Sequence, residues 1–268
     1  MALVASPIGL FDSGVGGLSI LQAVRRELPH EDLLYFADQN YCPYGLRLAD
    51  EIRALSARVT RFLLEQGCKA IVVACNTASA AALEYLRTSW PETPFIGMEP
   101  AVKPAAEKTR SGVVGVLATA GTLQGELFQR TRNRHARDVE VLVSYPTDWV
   151  ERVERGEIDS ADTEASVRRA IQPFLDAGAD EIALGCTHYP FLAPLICQIA
   201  GAQVEVLDPS MAVARQTARV LDDRHLLNPQ CVAGSGAFYT SGESLAFARV
   251  LNKLLGETAN THHADPRI

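Results

Sequence analysis

The sequence predicts an α/β fold of two pseudo-symmetric domains, each built on a mostly parallel central sheet, with a ligand cleft between them. Three observations lead there. Short apolar runs alternate with amphipathic helical stretches, the rhythm of parallel βα units. Two of those runs, Ala70–Ala74 and the one within Asp180–Pro190, each deliver a cysteine followed by small polar residues, in Cys75-Asn-Thr77 and Cys186-Thr-His188. Each half also has a strand ending in a small hydroxyl cluster, Asp12-Ser13 in one and Thr119 in the other. The expected division places residues 1–98 plus 209–268 in a first domain, with Asp12 and Cys75, and 99–208 in a second, with Thr119 and Cys186.

Taken in order, Pro7–Asp12 reads as the first strand and Ser13-Gly-Val-Gly-Gly17 as a glycine-rich turn into a helix over Leu18–Leu28. Such a turn can cradle an anion on backbone N–H groups. Its spacing is not the dinucleotide fingerprint, and Asp12 would repel a phosphate. A small ligand with a cationic group suits it better, with Asp12 as counter-charge; the plain alternative for Asp12 is a helix N-cap. Leu33–Ala37 is the second strand, and Gln39–Gly45 a loop with turn chemistry at Pro43-Tyr-Gly45. A helix over Ala49–Gln66 leads to the third strand and Cys75, then a helix over Ala78–Leu86 and a short strand at Phe95–Gly97.

Glu99–Ser111, with its prolines and basic residues, reads as a crossing between domains. Gly112–Ala118 starts the second domain, followed by a helix over Leu123–Arg132, a strand over Val139–Ser144 and a short helix over Asp148–Gly156. Thr163–Ala177 reads as a helix despite Pro173, closed by Gly178. After the Cys186 strand come a helix around Pro194–Ile199 and a strand over Gln203–Leu207. The last stretch returns to the first domain: a helix over Met211–Leu221, an edge strand over Ala237–Thr240 and a helix over Ser244–Leu255. Thr258–Ile268 reads as a disordered polar tail.

Composition narrows the function. With 268 residues, 47% hydrophobic and 21% charged, the chain can bury a full core. A net charge of −7 and a pI near 5.4 argue against a nucleic-acid backbone or an anionic membrane as main partner. The arginines of 130–137 have no interleaved aromatics and read as a solvated face. No signal peptide or membrane-length apolar run is present, and the six cysteines form no C-x-x-C pair. The expectation is therefore a cytoplasmic protein with free thiols. Cys186-Thr-His188 lacks the spacing of a structural zinc site, so no metal is expected.

The cysteines carry the chemistry. A thiol at a strand's carboxyl end and a helix N-terminus has its thiolate favoured by the dipole and free N–H groups. One such cysteine could be a small buried hydrophobe. Two at separate strand ends are hard to explain by packing. His188 beside Cys186 reads as an activating neighbour, against the plainer role of a core histidine bonded to backbone. A thiol-redox module would want its cysteines close in sequence.

Gly9-Leu-Phe-Asp-Ser-Gly-Val-Gly-Gly-Leu18, Pro43-Tyr-Gly45, Ala74-Cys-Asn-Thr-Ala-Ser79, Gly185-Cys-Thr-His-Tyr-Pro190 and Phe238-Tyr-Thr-Ser-Gly242 resemble, in order, the segments of bacterial glutamate racemases. The resemblance covers nearly the whole chain. It implies a cofactor-independent isomerase that interconverts L- and D-glutamate in a cleft between two α/β domains and supplies D-glutamate for peptidoglycan synthesis. It implies Cys75 and Cys186 as the two bases, one on each face of the substrate's Cα, with Cys186 acting on L-glutamate. Asp12, Ser13, Tyr44, Gly45, Asn76, Thr77, Thr119, Thr187 and His188 match positions that hold glutamate or tune the thiols.

A glutamate near the second cysteine is also implied. Ser144–Trp149 departs from the family's approach to it, so both Glu151 and Glu154 stand for the role. Sister racemases for aspartate or hydantoin share the fold, as do decarboxylases that keep one cysteine. The motifs at 43–45 and 185–190 favour glutamate. A homodimer is usual in that family. Some members also bind and inhibit DNA gyrase, to which no feature here points. The short lead before Ile8 goes with an expectation of no activation by a peptidoglycan precursor.

Overall fold

The structure, a computed structural model, describes residues 4–99 and 101–266. The chain runs β1 (Ile8–Asp12), α1 (Leu18–Glu27), β2 (Leu33–Ala37), α2 (Ala49–Glu65), β3 (Ala70–Val73), α3 (Asn76–Ser89) and β4 (Phe95–Ile96). It continues with α4 (Val102–Lys108), β5 (Val113–Ala118), α5 (Ala120–Gln124), α6 (Glu126–His135), β6 (Glu140–Ser144) and α7 (Trp149–Glu154). Next come α8 (Ala161–Asp176), β7 (Glu181–Gly185), α9 (Ala193–Ala200) and β8 (Glu205–Leu207). The last elements are α10 (Ser210–Asp223), β9 (Gly236–Thr240), α11 (Ser244–Leu255) and β10 (Thr261–His263).

Two parallel sheets result, ordered β10-β9-β2-β1-β3-β4 and β6-β5-β7-β8. The same wiring occurs twice: in each, the second strand lies outside the first, and the third and fourth lie on its other side. β1 therefore corresponds to β5, and β3 to β7. Asp12 and Thr119 stand at corresponding ends, and so do Cys75 and Cys186. β1, β3 and β7 are buried along their whole length. Helices cover both faces of a parallel sheet, so these strands are apolar without alternation. The edge strand β6 is only partly covered. One apolar cluster joins the halves, from Leu10 and Val72 to Leu184 and Leu192.

Several sequence expectations change. The crossing at Glu99–Ser111 holds helix α4, with Pro104 in the first turn, where its missing N–H is no loss. The helix expected over Leu123–Arg132 is two helices, broken at Gly125. β9 is not an edge strand, because it pairs with β2 on one side and β10 on the other. That outer strand lies in the tail expected to be disordered, of which Arg267 and Ile268 are outside the described residues, as are Met1–Leu3 and Pro100. Pro173 sits within α8 near its C-terminal end. No helix among the described residues is long and apolar enough to cross a membrane.

Candidate active site

Asp12 ends β1 with no exposed surface. Its Oδ1 accepts the Ser13 N–H at 2.6 Å, and its Oδ2 accepts the Gly17 N–H at 2.6 Å and the Thr187 hydroxyl at 3.0 Å. The last bond crosses from the first sheet to the loop after β7. Cys75 caps α3: its Sγ accepts the Ala78 N–H at 3.5 Å. Burial pushes the Cys75 thiol well above its ordinary range, and the neighbouring Asp12 carboxylate pushes it further. The helix terminus acts in the expected direction, through the Ala78 N–H, but burial outweighs it. Asp12 itself is raised by burial, against the lowering effect of the His188 charge and of a hydrogen bond with Cys75.

The second thiol has different company. Cys186 Sγ lies 3.8 Å from His188 Nδ1, and His188 Nε2 lies 2.7 Å from Glu154 Oε1. Burial pulls the imidazole's pKa down, yet hydrogen bonds to Cys186, Cys42 and Glu154 together carry it well above the ordinary histidine range. Glu154 moves the other way. Burial raises it, but His188, the Gln39 amide and the Val15 N–H bring it below the ordinary carboxylate range. The two shifts agree on one state, an imidazolium paired with a carboxylate. Cys186 is also among the charges that raise Cys75, so the two thiols lie within electrostatic reach of each other.

Of the two glutamates, Glu154 reaches His188 and Glu151 does not. Glu154 is held by His188, by the Val15 N–H at 2.7 Å and by Gln39 Nε2 at 2.9 Å. Glu151 is exposed and faces Arg155 at 4.0 Å. The glycine-rich turn explains itself here. A Cβ on Gly14 would stand 1.8 Å from Glu154 Oε1, and one on Gly16 would stand 2.3 Å from His188 Nδ1. Side chains are absent because the ion pair packs against this backbone. The turn does cradle anions, but they are the protein's own carboxylates, Asp12 and Glu154.

Thr77 and Thr119 join the halves through a 3.0 Å contact between hydroxyls, and Thr119 also meets Thr122 at 3.0 Å. Gly45 abuts Thr119, where an added Cβ would come within 3.2 Å of the threonine Cβ. Tyr44 is buried and its hydroxyl donates to Asp38. Ser13 is buried with its hydroxyl 3.3 Å from Asp12. Asn76 is buried, and neither its amide oxygen nor its amide nitrogen has a hydrogen-bond partner. A buried, unsatisfied amide is costly unless something else satisfies it.

Two neighbours escaped the sequence reading. Gln39 bridges Glu154 and the Thr240 hydroxyl. Cys42 contacts His188, and burial pushes its thiol up to about 12. The only hint in the sequence was their place just before Pro43-Tyr-Gly45. Cys42, Glu154 and His188 are the one trio among the described residues whose donor atoms, within 4.8 Å of one another, could hold a metal ion. Both nitrogens of that imidazole already have protein partners, so the trio is satisfied as a hydrogen-bonded cluster. A groove of about 1430 Å³ reaches Thr77 and Gly121 but neither thiol.

Comparison with known proteins gives the family and agrees with the fold. Residues 18–217 match the family model of Asp/Glu/hydantoin racemases. The glutamate racemase of Herpetosiphon aurantiacus is 53% identical over 244 residues, covering 91% of this chain and 96% of that one. The crystal structure of glutamate racemase isoform RacE1 from Bacillus anthracis superposes with a TM-score of 0.86 at 30% identity, over 97% of each chain. That of the Francisella tularensis glutamate racemase in complex with D-glutamate gives 0.83 at 30%, again over 97% of each.

Proposed function

The chain belongs to the Asp/Glu/hydantoin racemase family, and from that premise we propose that it interconverts L- and D-glutamate by proton transfer between two thiols. The observation that carries this reading is the placing of Cys75 and Cys186 at corresponding ends of β3 and β7 in sheets of the same wiring. Racemisation at Cα needs a base on one face and an acid on the other. Two thiols approaching from two like domains meet that need without turning the substrate over.

In this reading Cys186 removes the proton from L-glutamate while Cys75 delivers one to the opposite face, and the reverse reaction exchanges the roles. His188, held cationic by Glu154, gives negative charge on Cys186 a positive neighbour at 3.8 Å. Burial, with the Asp12 carboxylate beside it, keeps the proton on Cys75, which suits it as the acid in the L-to-D direction. Proton removal leaves a carbanion whose charge spreads into the α-carboxylate, so donors aimed at that group lower the barrier. Asn76, with its amide otherwise unsatisfied, and the hydroxyls of Ser13, Thr77, Thr119 and Thr187 are the groups for this work. Tyr44-Gly45 forms a wall of the same cleft. The proposed product, D-glutamate, feeds peptidoglycan synthesis in the cytoplasm.

Circular dichroism of L-glutamate incubated with the protein in D2O, with no added cofactor, tests the proposal. Loss of optical activity with deuterium at Cα, abolished in both Cys75→Ala and Cys186→Ala, is the expected result. Racemisation that persists in either variant defeats the two-thiol mechanism, and unchanged glutamate defeats the substrate.

A further inference from the structure

We propose that Asp265, Arg58 and Asp38 form a positioning relay that sets the Tyr44-Gly45 wall of the cleft, so that the C-terminal strand tunes substrate binding without touching substrate. This rests on the racemase reading above for the role of that wall.

Arg58 lies in α2 among the buried residues Leu55, Val59 and Leu63, and is itself only 2% exposed. A guanidinium is rarely placed in a core unless its charge is matched there. Its match is Asp38, fully buried just after β2, with Nη2 donating to Oδ1 at 2.5 Å. The other oxygen of the same carboxylate accepts the Tyr44 hydroxyl at 2.5 Å. Asp38 is also tied through its backbone, its N–H donating to the Asp12 carbonyl at 2.9 Å. One carboxylate thus fixes the phenol of the cleft wall relative to the strand that carries Asp12.

The guanidinium has a second anchor. Its Nη1 lies 3.3 Å from Asp265 Oδ1, and the group stands 4.4 Å over the Tyr41 ring. Asp265 follows β10, which is held to the sheet by pairing with β9 and by the Ala264 N–H donating to the Thr240 carbonyl at 2.9 Å. On the far side, Gly45 meets Thr119 and Gly121 of the second half, where an added Cβ on Gly121 would be 3.1 Å from the Gly45 carbonyl oxygen. A shift of Tyr44 therefore passes to Thr119 and to its contact with Thr77. The path runs from the last strand, through three charged side chains, to the hydroxyls shared by both halves.

A network that only stabilised the fold would leave substrate binding alone. The test is a double-mutant cycle in the full chain, with kcat and KM for L-glutamate measured for wild type, Asp265→Ala, Tyr44→Phe and the pair. Tyr44→Phe keeps the ring and breaks its link to Asp38. Losing a buried hydrogen bond to a charged group is expected to raise KM about ten-fold or more. Asp265 is mostly exposed, so Asp265→Ala is expected to raise KM about two- to three-fold, with kcat within about two-fold.

The relay requires that Asp265→Ala add nothing once Tyr44→Phe has cut the connection, although the two residues do not touch. Equal effects of Asp265→Ala in both backgrounds overturn it, as does an unchanged KM or a fall in kcat alone. Arg58→Lys gives an independent reading. A lysine keeps the charge but loses the fork that spans both carboxylates, so it should raise KM at least as much as Asp265→Ala; a wild-type KM there also overturns the relay. Should wild type neither bind nor racemise glutamate, the racemase reading and the relay fall together, whereas additive effects in an active enzyme remove the relay alone.

Discussion

Cys75 and Cys186 occupy corresponding ends of corresponding strands, yet one faces a carboxylate and the other an imidazolium. The strands determine where the thiols stand, and the neighbours, Asp12 at the end of β1 and His188 after β7, determine what each one feels. Those partners are also fastened crosswise. Asp12, companion of Cys75, is held by Thr187 from the second half. Glu154, which orients the companion of Cys186, is held by Val15 and Gln39 from the first. Neither thiol's surroundings are complete within its own half, so the electrostatics of the two are set only when the halves are assembled.

The harshest way to break the comparison is to remove the thiols. Cys75→Ala and Cys186→Ala should each lower kcat/KM by about 10³-fold or more, the scale of a lost general acid or base. The enantiomers have equal free energy, so the loss must be the same from L- and from D-glutamate, measured by circular dichroism in both directions. If one variant stays active, the two strand ends do not share the chemistry.

Disturbing only the Cys186 side comes next. Glu154→Gln should cost about 10- to 100-fold in kcat/KM. Without its carboxylate His188 titrates lower, so the alkaline limb of the pH profile should move to lower pH. Gly14→Ala should reproduce this, since its Cβ would occupy the place of Glu154 Oε1. An unmoved pH limb in both would show that the pair does not govern Cys186. Stability carries the same signature. The raised His188 stabilises fully below its unfolded value of about 6.5, and that contribution is lost as pH rises through the folded value. The lowered Glu154 stabilises above about 4.5 and loses its contribution as pH falls through its folded value. Melting temperatures of wild type and Glu154→Gln should differ most between about pH 4.5 and 6.5.

On the Cys75 side, Asp12→Asn should cost about ten-fold and shift the alkaline limb to lower pH, because the thiol that must keep its proton loses a charge that raises it. An alkaline limb that stays put would mean that burial alone sets Cys75. The smallest effect sharpens the assignment: Glu151→Gln, at an exposed site, should stay within about two-fold of wild type in initial rate. A loss comparable to that of Glu154→Gln would return the role to Glu151.

Much of this was legible in the sequence because buried parallel strands are continuous apolar runs, and a run that stops at Cys75 or Cys186 announces its end. Asp12, Thr119 and His188 could be placed from the same punctuation. Cys42 and Gln39 could not, since they reach Glu154 and His188 only through packing of the loop after β2. The partner of the glycine-rich turn was hidden for the same reason: Glu154 arrives from far along the chain. Thr261–His263 has too little apolar content to look like a strand; it pairs along the edge of β9 and is tied down by polar side-chain contacts, Thr261 to the Ser244 carbonyl and His263 to the Gly242 carbonyl.

That late pairing sets an order of assembly in time. β2 meets β9 with Leu33 opposite Gly236, about two hundred residues apart, whereas β5 to β8 come from one uninterrupted stretch. During synthesis the second sheet can close as soon as β8 emerges, while the outer edge of β2 waits for β9. Distant pairings form late because loop closure must come first. Pulse-labelled hydrogen exchange on refolding should therefore protect the amides of β5 and β7 before those of β9, and the opposite order would reject it. The half that holds Asp12 and Cys75 begins the chain and is the last to be finished.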